Sequence, residues 1–367
     1  MAQALKHIFS QEFYDVFIED FSRVYPLDSQ MFLSNIYNSE WEQKTLKQRI
    51  THTAHVLHAC VHASYCQMVD FFIEYCNIAL QKQTSQWGLA HMFIPEYIQL
   101  YGTHDFATSM RAIEYITKLA SCEFAIREFI HLYPQKTIQQ LLQWSKHSHA
   151  AVRRLASEGC RPRLPWATQI LEFRKNPHHI IPILENLKAD SSAFVRKSVA
   201  NSLNDISKDN PQCVLTLCAQ WKGFHAHTDW IIKHGLRTLL KQGNTEALLL
   251  CGISSARVCK IQHFTLNTPT VSALQPLHIS FEIINTYTKI EKCRIEYALY
   301  FLRKNGTYSR KVFFIRELNL PANTTIQLQK QHSFIPRTTR KYYKGKQYVS
   351  CIINGVENMK KAFYYTE

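Results

Sequence analysis

Met110-Arg111, Val152-Arg153, Val195-Arg196 and Ile232-Lys233 recur roughly every 40 residues, the period of stacked two-helix repeats. Five positions before each apolar member stands Asp105, His147, Asp190 or His227. A helix pair of this kind cannot bury its apolar face alone, so it stacks on its neighbours into a HEAT-type solenoid. In each copy the apolar residue is expected in the core and the following cation in a shared groove. A groove lined with a basic ladder suits a polyanion.

Charge points the same way. The chain has 43 Lys and Arg against 28 Asp and Glu, a formal net charge of +15, which favours nucleic acid or an anionic surface as partner. No stretch approaches the roughly 20 apolar residues that cross a bilayer, and the start lacks a signal-peptide core, so a cytoplasmic protein is expected. Eleven cysteines, an odd number with no CxxC pair, argue against a disulfide framework or a zinc ribbon. They read as reduced, mostly buried apolar residues.

The pattern changes near residue 257. All six tryptophans precede it, in segments of helical periodicity, with Thr137 and Asp190-Ser191 as expected helix starts. Beyond it come short alternating runs: Ile279-Phe281-Ile283, Ile295-Tyr297-Leu299-Phe301, Val312-Phe314, Ile326-Leu328 and Tyr348-Ser350-Ile352. Turn signals such as Asn305-Gly306 and Pro321-Ala322-Asn323 separate them. The expected fold is mainly α: a HEAT-like helical-repeat solenoid over 1–257, then a small immunoglobulin-like β-sandwich of some seven strands over 258–367, joined by a short connection.

The β-region holds 17 Lys or Arg against 6 Glu, so about +11 of the total charge sits there. Its clusters RTTRKYYKGK and RKNGTYSRK interleave cations with tyrosine as phosphate-contacting loops do, which nominates Arg337, Arg340 and Lys341 for DNA. In the helical region, Arg154, Arg161, Arg163, Lys197 and Lys208 are the corresponding candidates, and Arg153 and Arg196 read as structural. A carboxylate among such cations is either a salt bridge that orders arginines or an anion facing a cation that develops only during reaction.

At these residues the chain becomes recognisable. The strings MFIPEYIQLYG, SCEFAIREFI, VRRLASEGCRPRLPW and VRKSVANSLNDISKDNP resemble the AlkC branch of the AlkC and AlkD class of bacterial DNA alkylation repair glycosylases, over roughly residues 35–250. The basic β-region resembles the immunoglobulin-like appendage on part of that branch. The resemblance implies excision chiefly of 3-methyladenine and 3-methylcytosine from double-stranded DNA, without swallowing the base into a pocket. A monomer is the default for a groove that must admit a duplex, and the chemistry needs no cofactor and no metal. Carried over by motif, Glu123 in SCEF, Glu158 in ASEG and Asp205 in LNDISKD are the catalytic carboxylates, and Trp166 in RPRLPW walls the lesion.

The chemistry agrees. A base alkylated at a ring nitrogen is already cationic and leaves as a neutral group without a general acid, so the burden falls on the sugar. Carboxylates beside the oxocarbenium-like deoxyribose stabilise it, and Glu158 or Asp205 positions water. Two other readings stay open. The first is a non-catalytic HEAT scaffold, which the three carboxylates argue against. The second is a metal on His58, His62 and Cys66, residues at helical spacing in THTAHVLHACVHASYC.

Overall fold

Each apolar-basic step lies inside a helix of the computed structural model, which describes residues 5–82, 88–253, 259–336 and 340–366. Trp87, Arg337 and the proposed boundary at 257–258 lie outside the described residues. The helices carrying the four steps are Phe106–Ile116, Ala150–Gly159, Ala193–Ile206 and Ala226–Gly235. Met110, Val152, Val195 and Ile232 are all buried, as the pattern demands.

The cations that follow do something other than line a groove. Arg153 grips Asp190 at 2.6 and 3.1 Å and donates to the carbonyls of His147 and Ser148, while Arg196 donates to those of Asp190 and Ser191. Arg111 pairs with Asp70 at 2.8 Å, and Lys233 with Glu317 at 2.6 Å. In the second and third copies the cation therefore satisfies loop carbonyls, and in the first and fourth it pairs with a carboxylate of another element. The acids before two of these helices accept backbone amides: the Asp105 carboxylate accepts from the Thr108 amide, and that of Asp190 from the Ser192 amide. The first cap expectation fails at Thr137. The helix begins at Pro134, whose missing N–H costs nothing at a first turn, and Thr137 is buried within it, donating to the carbonyls of Phe129 and Tyr133.

Two compact units emerge, Met1–Asn210 with His225–Ile231, and Pro211–Phe224 with Ile232–Glu367. In the first, helices contact the helix two or three places along: Leu46–Cys60 meets Phe93–Tyr101, Tyr65–Gln81 meets Phe106–Ile116, and Ala150–Gly159 meets Ala193–Ile206. This alternation is the stacking of a helical repeat. At its start Phe13, Phe17, Phe21, Phe32, Tyr75 and Phe93 form a buried aromatic core with edge-on and tilted ring contacts.

The second unit holds the helices Pro211–Trp221, Arg237–Gln242 and Thr245–Leu250 together with, among the described residues, eight strands. These are β1 (Cys259–Leu266), β2 (Thr270–Val271), β3 (Leu277–Asn285), β4 (Glu291–Leu302), β5 (Tyr308–Leu320), β6 (Thr325–His332), β7 (Gly345–Ile353) and β8 (Val356–Tyr365). One sheet runs β1-β3-β6 and the other β2-β8-β7-β4-β5, enclosing Ile279, Phe281, Ile295, Leu299, Val349 and Cys351. The five alternating runs fall in β3 to β7 as expected. β4 is buried on both faces, because alongside the inward Ile295 and Tyr297 its Arg294 pairs with the buried Glu296 and with Glu317.

Asn354 and Gly355 make the two-residue β7–β8 turn with φ of 47° and 81°, the left-handed pair that such a hairpin requires. Gly243, φ 75°, caps the helix Arg237–Gln242 against that turn. A Cβ on Gly355 would lie 2.6 Å from the Gly243 Cα. Gly355→Ala is therefore expected to cost about 1–3 kcal/mol, combining backbone strain with a clash that no flexible side chain can relieve. The denaturant midpoint is the measurement, and an unchanged value would refute the close approach.

Candidate functional site

Glu158 and Asp205 occupy the last turns of Ala150–Gly159 and Ala193–Ile206, the two helices joined by the buried 2.7 Å Ser157–Ser198 hydroxyl pair. A carboxylate there sits at the negative end of the helix dipole and out of water, two costs that need compensation. Arg161 supplies it. From the turn after the first helix, its Nη1 donates to Glu158 Oε1 at 2.6 Å, while Nε and Nη2 reach Asp205 Oδ2 at 2.9 and 2.8 Å. Burial alone would lower the proton affinity of this guanidinium, and the two carboxylates more than restore it, holding its pKa above the ordinary value.

The pairing extends in both directions. Arg154 donates to Glu123, which the Ser121 hydroxyl also meets, and its other terminal nitrogen lies 3.5 Å from Glu158. Lys208 reaches Asp205 Oδ1 at 3.0 Å. The result is one alternating chain, Glu123, Arg154, Glu158, Arg161, Asp205, Lys208, in which three acids meet three bases. Among the described residues no group donates to Oε2 of Glu158, which leaves that oxygen available. The exposed ring of Phe194 covers the Arg154 guanidinium at 4.7 Å.

Several expected phosphate ligands thus have partners within the protein. Arg161 is 6% exposed and bridges the carboxylates, so its place as a DNA contact is revised to an internal one. Arg163 binds Asp209 at 2.7 and 2.8 Å, and Arg174 shares that carboxylate at 2.9 and 3.2 Å. Lys197 is exposed, as is Lys341, and Arg340 lies half-buried with its guanidinium 4.0 Å from the Phe301 ring centre.

Asp209 ends the LNDISKD string, four residues after Asp205, but nothing in that string marks it out from its neighbours. Arg163 and then Arg174 hold its carboxyl well below the ordinary 3.8. Because the folded value is depressed, this group stabilises the fold above pH 3.8 and that contribution is lost as pH falls below it. Asp209→Asn is expected to remove this acid-side loss, so the thermal midpoint of the variant should fall less steeply with acid than that of the parent. Parallel pH profiles would contradict the assignment.

Trp166 stands apart from the ion-pair chain. Its φ is 66°, a left-handed conformation costly for a bulky residue, and the residue is 62% exposed. Lys47 donates to its carbonyl, and Arg127 donates to the carbonyls of Thr168, Gly159 and Arg161, so the backbone on both sides of the turn is held. Burial brings the Arg127 pKa down to about 10. A strained, outward-pointing aromatic on a fixed turn is an arrangement that contacts with a ligand would explain.

The histidine cluster has a different use. The helix ends at Cys60, so His62 falls in a loop and Cys66 on the next helix, Tyr65–Gln81, and the three do not share a face. His55 meets the Tyr101 hydroxyl at 2.6 Å, and His58 meets that of Tyr97 at 2.8 Å while stacking on Tyr101 at 3.8 Å. No metal-binding group of three or more His, Cys, Asp or Glu occurs among the described residues. Nor is any described helix long and apolar enough to cross a membrane.

Comparison with known proteins supplies the frame for this geometry. Residues 89–239 match the family described as "DNA alkylation repair enzyme", and residues 260–367 match "Uncharacterised protein YhaZ, C-terminal Ig-like domain". An uncharacterized protein of Bacillus subtilis (strain 168), YhaZ, is 39% identical over 96% of each chain. The Pseudomonas fluorescens alkylpurine DNA glycosylase AlkC, solved bound to DNA containing an abasic site analog, is 35% identical, covers 100% of both chains and superposes with a TM-score of 0.94. With such similarity along its whole length, the chain belongs to the DNA alkylation repair enzyme family, as an AlkC-like DNA glycosylase with a helical-repeat region and a C-terminal Ig-like domain.

Proposed function

We propose that the chain hydrolyses the N-glycosidic bond of cationic N-alkylated bases, 3-methyladenine and 3-methylcytosine, in double-stranded DNA, acting as a monomer and leaving an abasic site. The observation that carries this reading is the pair of buried carboxylates, Glu158 and Asp205, held on one guanidinium. With Glu123 they make an array whose charges balance in the resting state. As the bond to the departing base lengthens, the deoxyribose gains positive charge, and fixed carboxylates stabilise that charge without having to reorganise.

The substrate base leaves neutral, so no proton donor is required. Water must still be oriented on the sugar, and Glu158 is suited to this because its Oε2 is available while Oε1 is fixed on Arg161. Trp166 packs beside the lesion, and the base stays in the helix until its bond breaks. Lys197 and Lys208 meet phosphates on the helical region, and Arg340 and Lys341 do so on the Ig-like domain. Arg154 has a shared role, since its charge serves Glu123 as well as the backbone of the DNA.

The test is direct. Duplexes bearing 3-methyladenine or 3-methylcytosine are incubated with the full chain, and abasic sites are revealed by alkaline strand cleavage on a gel. Cleavage at the lesion over an unmodified control supports the proposal. Binding to both duplexes without cleavage of either would make the protein a scaffold.

A further inference from the structure

β1 and β4 belong to different sheets of the C-terminal domain, and each turns one cysteine into the core that the two sheets share. Cys259 opens β1 on the same face as Ile261, and Cys293 stands on β4 on the same face as Ile295 and Tyr297; both are buried. Their Sγ atoms lie 3.0 Å apart, one thiol donating to the other sulfur. A disulfide measures about 2.05 Å, so roughly 1 Å of closure separates this contact from a bond, a distance that small side-chain rotations cover. The other nine cysteines are also free thiols, and among the described residues no other two of them are hydrogen-bonded to each other.

The contact also prepares the pair chemically. With the Cys293 thiol as donor, the hydrogen bond favours a thiolate on Cys259 and draws its pKa below the ordinary 9.0, while the pKa of Cys293 is pushed up by the same bond and by burial. One sulfur is thus the nucleophile and the other its resolving partner. We propose that Cys259 and Cys293 close into a reversible disulfide between the two sheets when the protein meets a hydroperoxide. The Cys259 sulfur attacks one peroxide oxygen, the O–O bond breaks, and the second oxygen leaves with the thiol's proton as an alcohol, or as water from hydrogen peroxide. Cys259 is left as a sulfenic acid. The Cys293 sulfur then attacks the Cys259 sulfur, the S–O bond breaks, and hydroxide departs with the Cys293 proton as water. Two electrons pass from the two sulfurs to the peroxide. A bridge between residues 34 positions apart removes chain entropy from the unfolded state, so the oxidised domain is the more stable one.

The test uses the full chain and hydrogen peroxide. After oxidation the protein is unfolded, its remaining thiols are blocked with iodoacetamide, and the intact mass and a non-reducing peptide map are recorded. The parent is expected to carry two blocking groups fewer than the untreated protein, to regain them on reduction with dithiothreitol, and to yield one crosslinked peptide pair holding Cys259 and Cys293. Its thermal midpoint should rise by about 5 °C or more on oxidation. Cys259→Ala and Cys293→Ala are each expected to lose both the crosslink and the rise, whereas Cys66→Ser, which removes an exposed thiol, keeps them. The parent's map decides the matter even where a core variant fails to fold. Full blocking of all eleven thiols after peroxide, a crosslink that maps elsewhere, or an equal rise in oxidised Cys259→Ala would overturn the proposal.

Discussion

Glu158→Gln and Asp205→Asn are each expected to slow excision of a 3-methyl lesion by roughly 10²-fold or more, with affinity for the duplex equal or slightly improved. Each variant keeps the volume and removes an anion that matters most when the sugar is cationic, so the loss should fall on the rate at saturating enzyme. The structure adds a second expected effect. Both carboxylates neutralise the buried Arg161, so either change leaves that guanidinium with one charged partner, at a cost of about 1–3 kcal/mol of stability. Single-turnover rates with folded, saturating enzyme separate the two effects. Near-parental rates in both variants would remove the electrostatic mechanism, whatever happened to their melting.

Replacing Arg303, Lys304, Arg340 and Lys341 together by Ala is expected to lower the slope of log affinity against log salt by about 0.9 for each phosphate that is no longer neutralised. If all four meet phosphate, binding near 0.15 M salt weakens by roughly 10³-fold on the same relation. Substitution is a cleaner test than deleting residues from about 260 onward. The helices Pro211–Trp221, Arg237–Gln242 and Thr245–Leu250 belong to the same compact unit as the strands, and Lys292 donates to the Cys251 carbonyl at 2.7 Å. Deletion would strip those helices of partners and confuse unfolding with weakened DNA binding. An unchanged salt slope in the folded quadruple variant would make the charge of the Ig-like domain a solubilising surface.

The sequence is most legible where one residue type has one physical use. The buried Met110, Val152, Val195 and Ile232 reveal the repeat because burial at a fixed period leaves few alternatives. Of the cations after them, Arg153 and Arg196 read as structural and do bind loop carbonyls, whereas spacing alone does not say that Arg111 pairs with Asp70 and Lys233 with Glu317. Similarly, the strings around Glu123, Glu158 and Asp205 nominate the carboxylates, but the single guanidinium that joins two of them requires the fold. Arg161 reads as one more basic residue until it is seen buried between acids from two different helices.

The ion-pair chain from Glu123 to Lys208 draws its members from three successive parts of the solenoid: the turn before Ala125–Leu132, the end of Ala150–Gly159 with its following turn, and the end of Ala193–Ile206. Helical-repeat arrays ordinarily change length by gaining or losing whole copies, because each copy touches only its neighbours. Here that freedom is withdrawn in the middle. Duplicating or removing one repeat between residues 123 and 208 would place Arg161 opposite the wrong helix and strand a buried charge, so variation in length must be confined to the ends. The ion-pair chain then acts as a ruler for the lineage, fixing the number of central repeats while the flanks remain open to change.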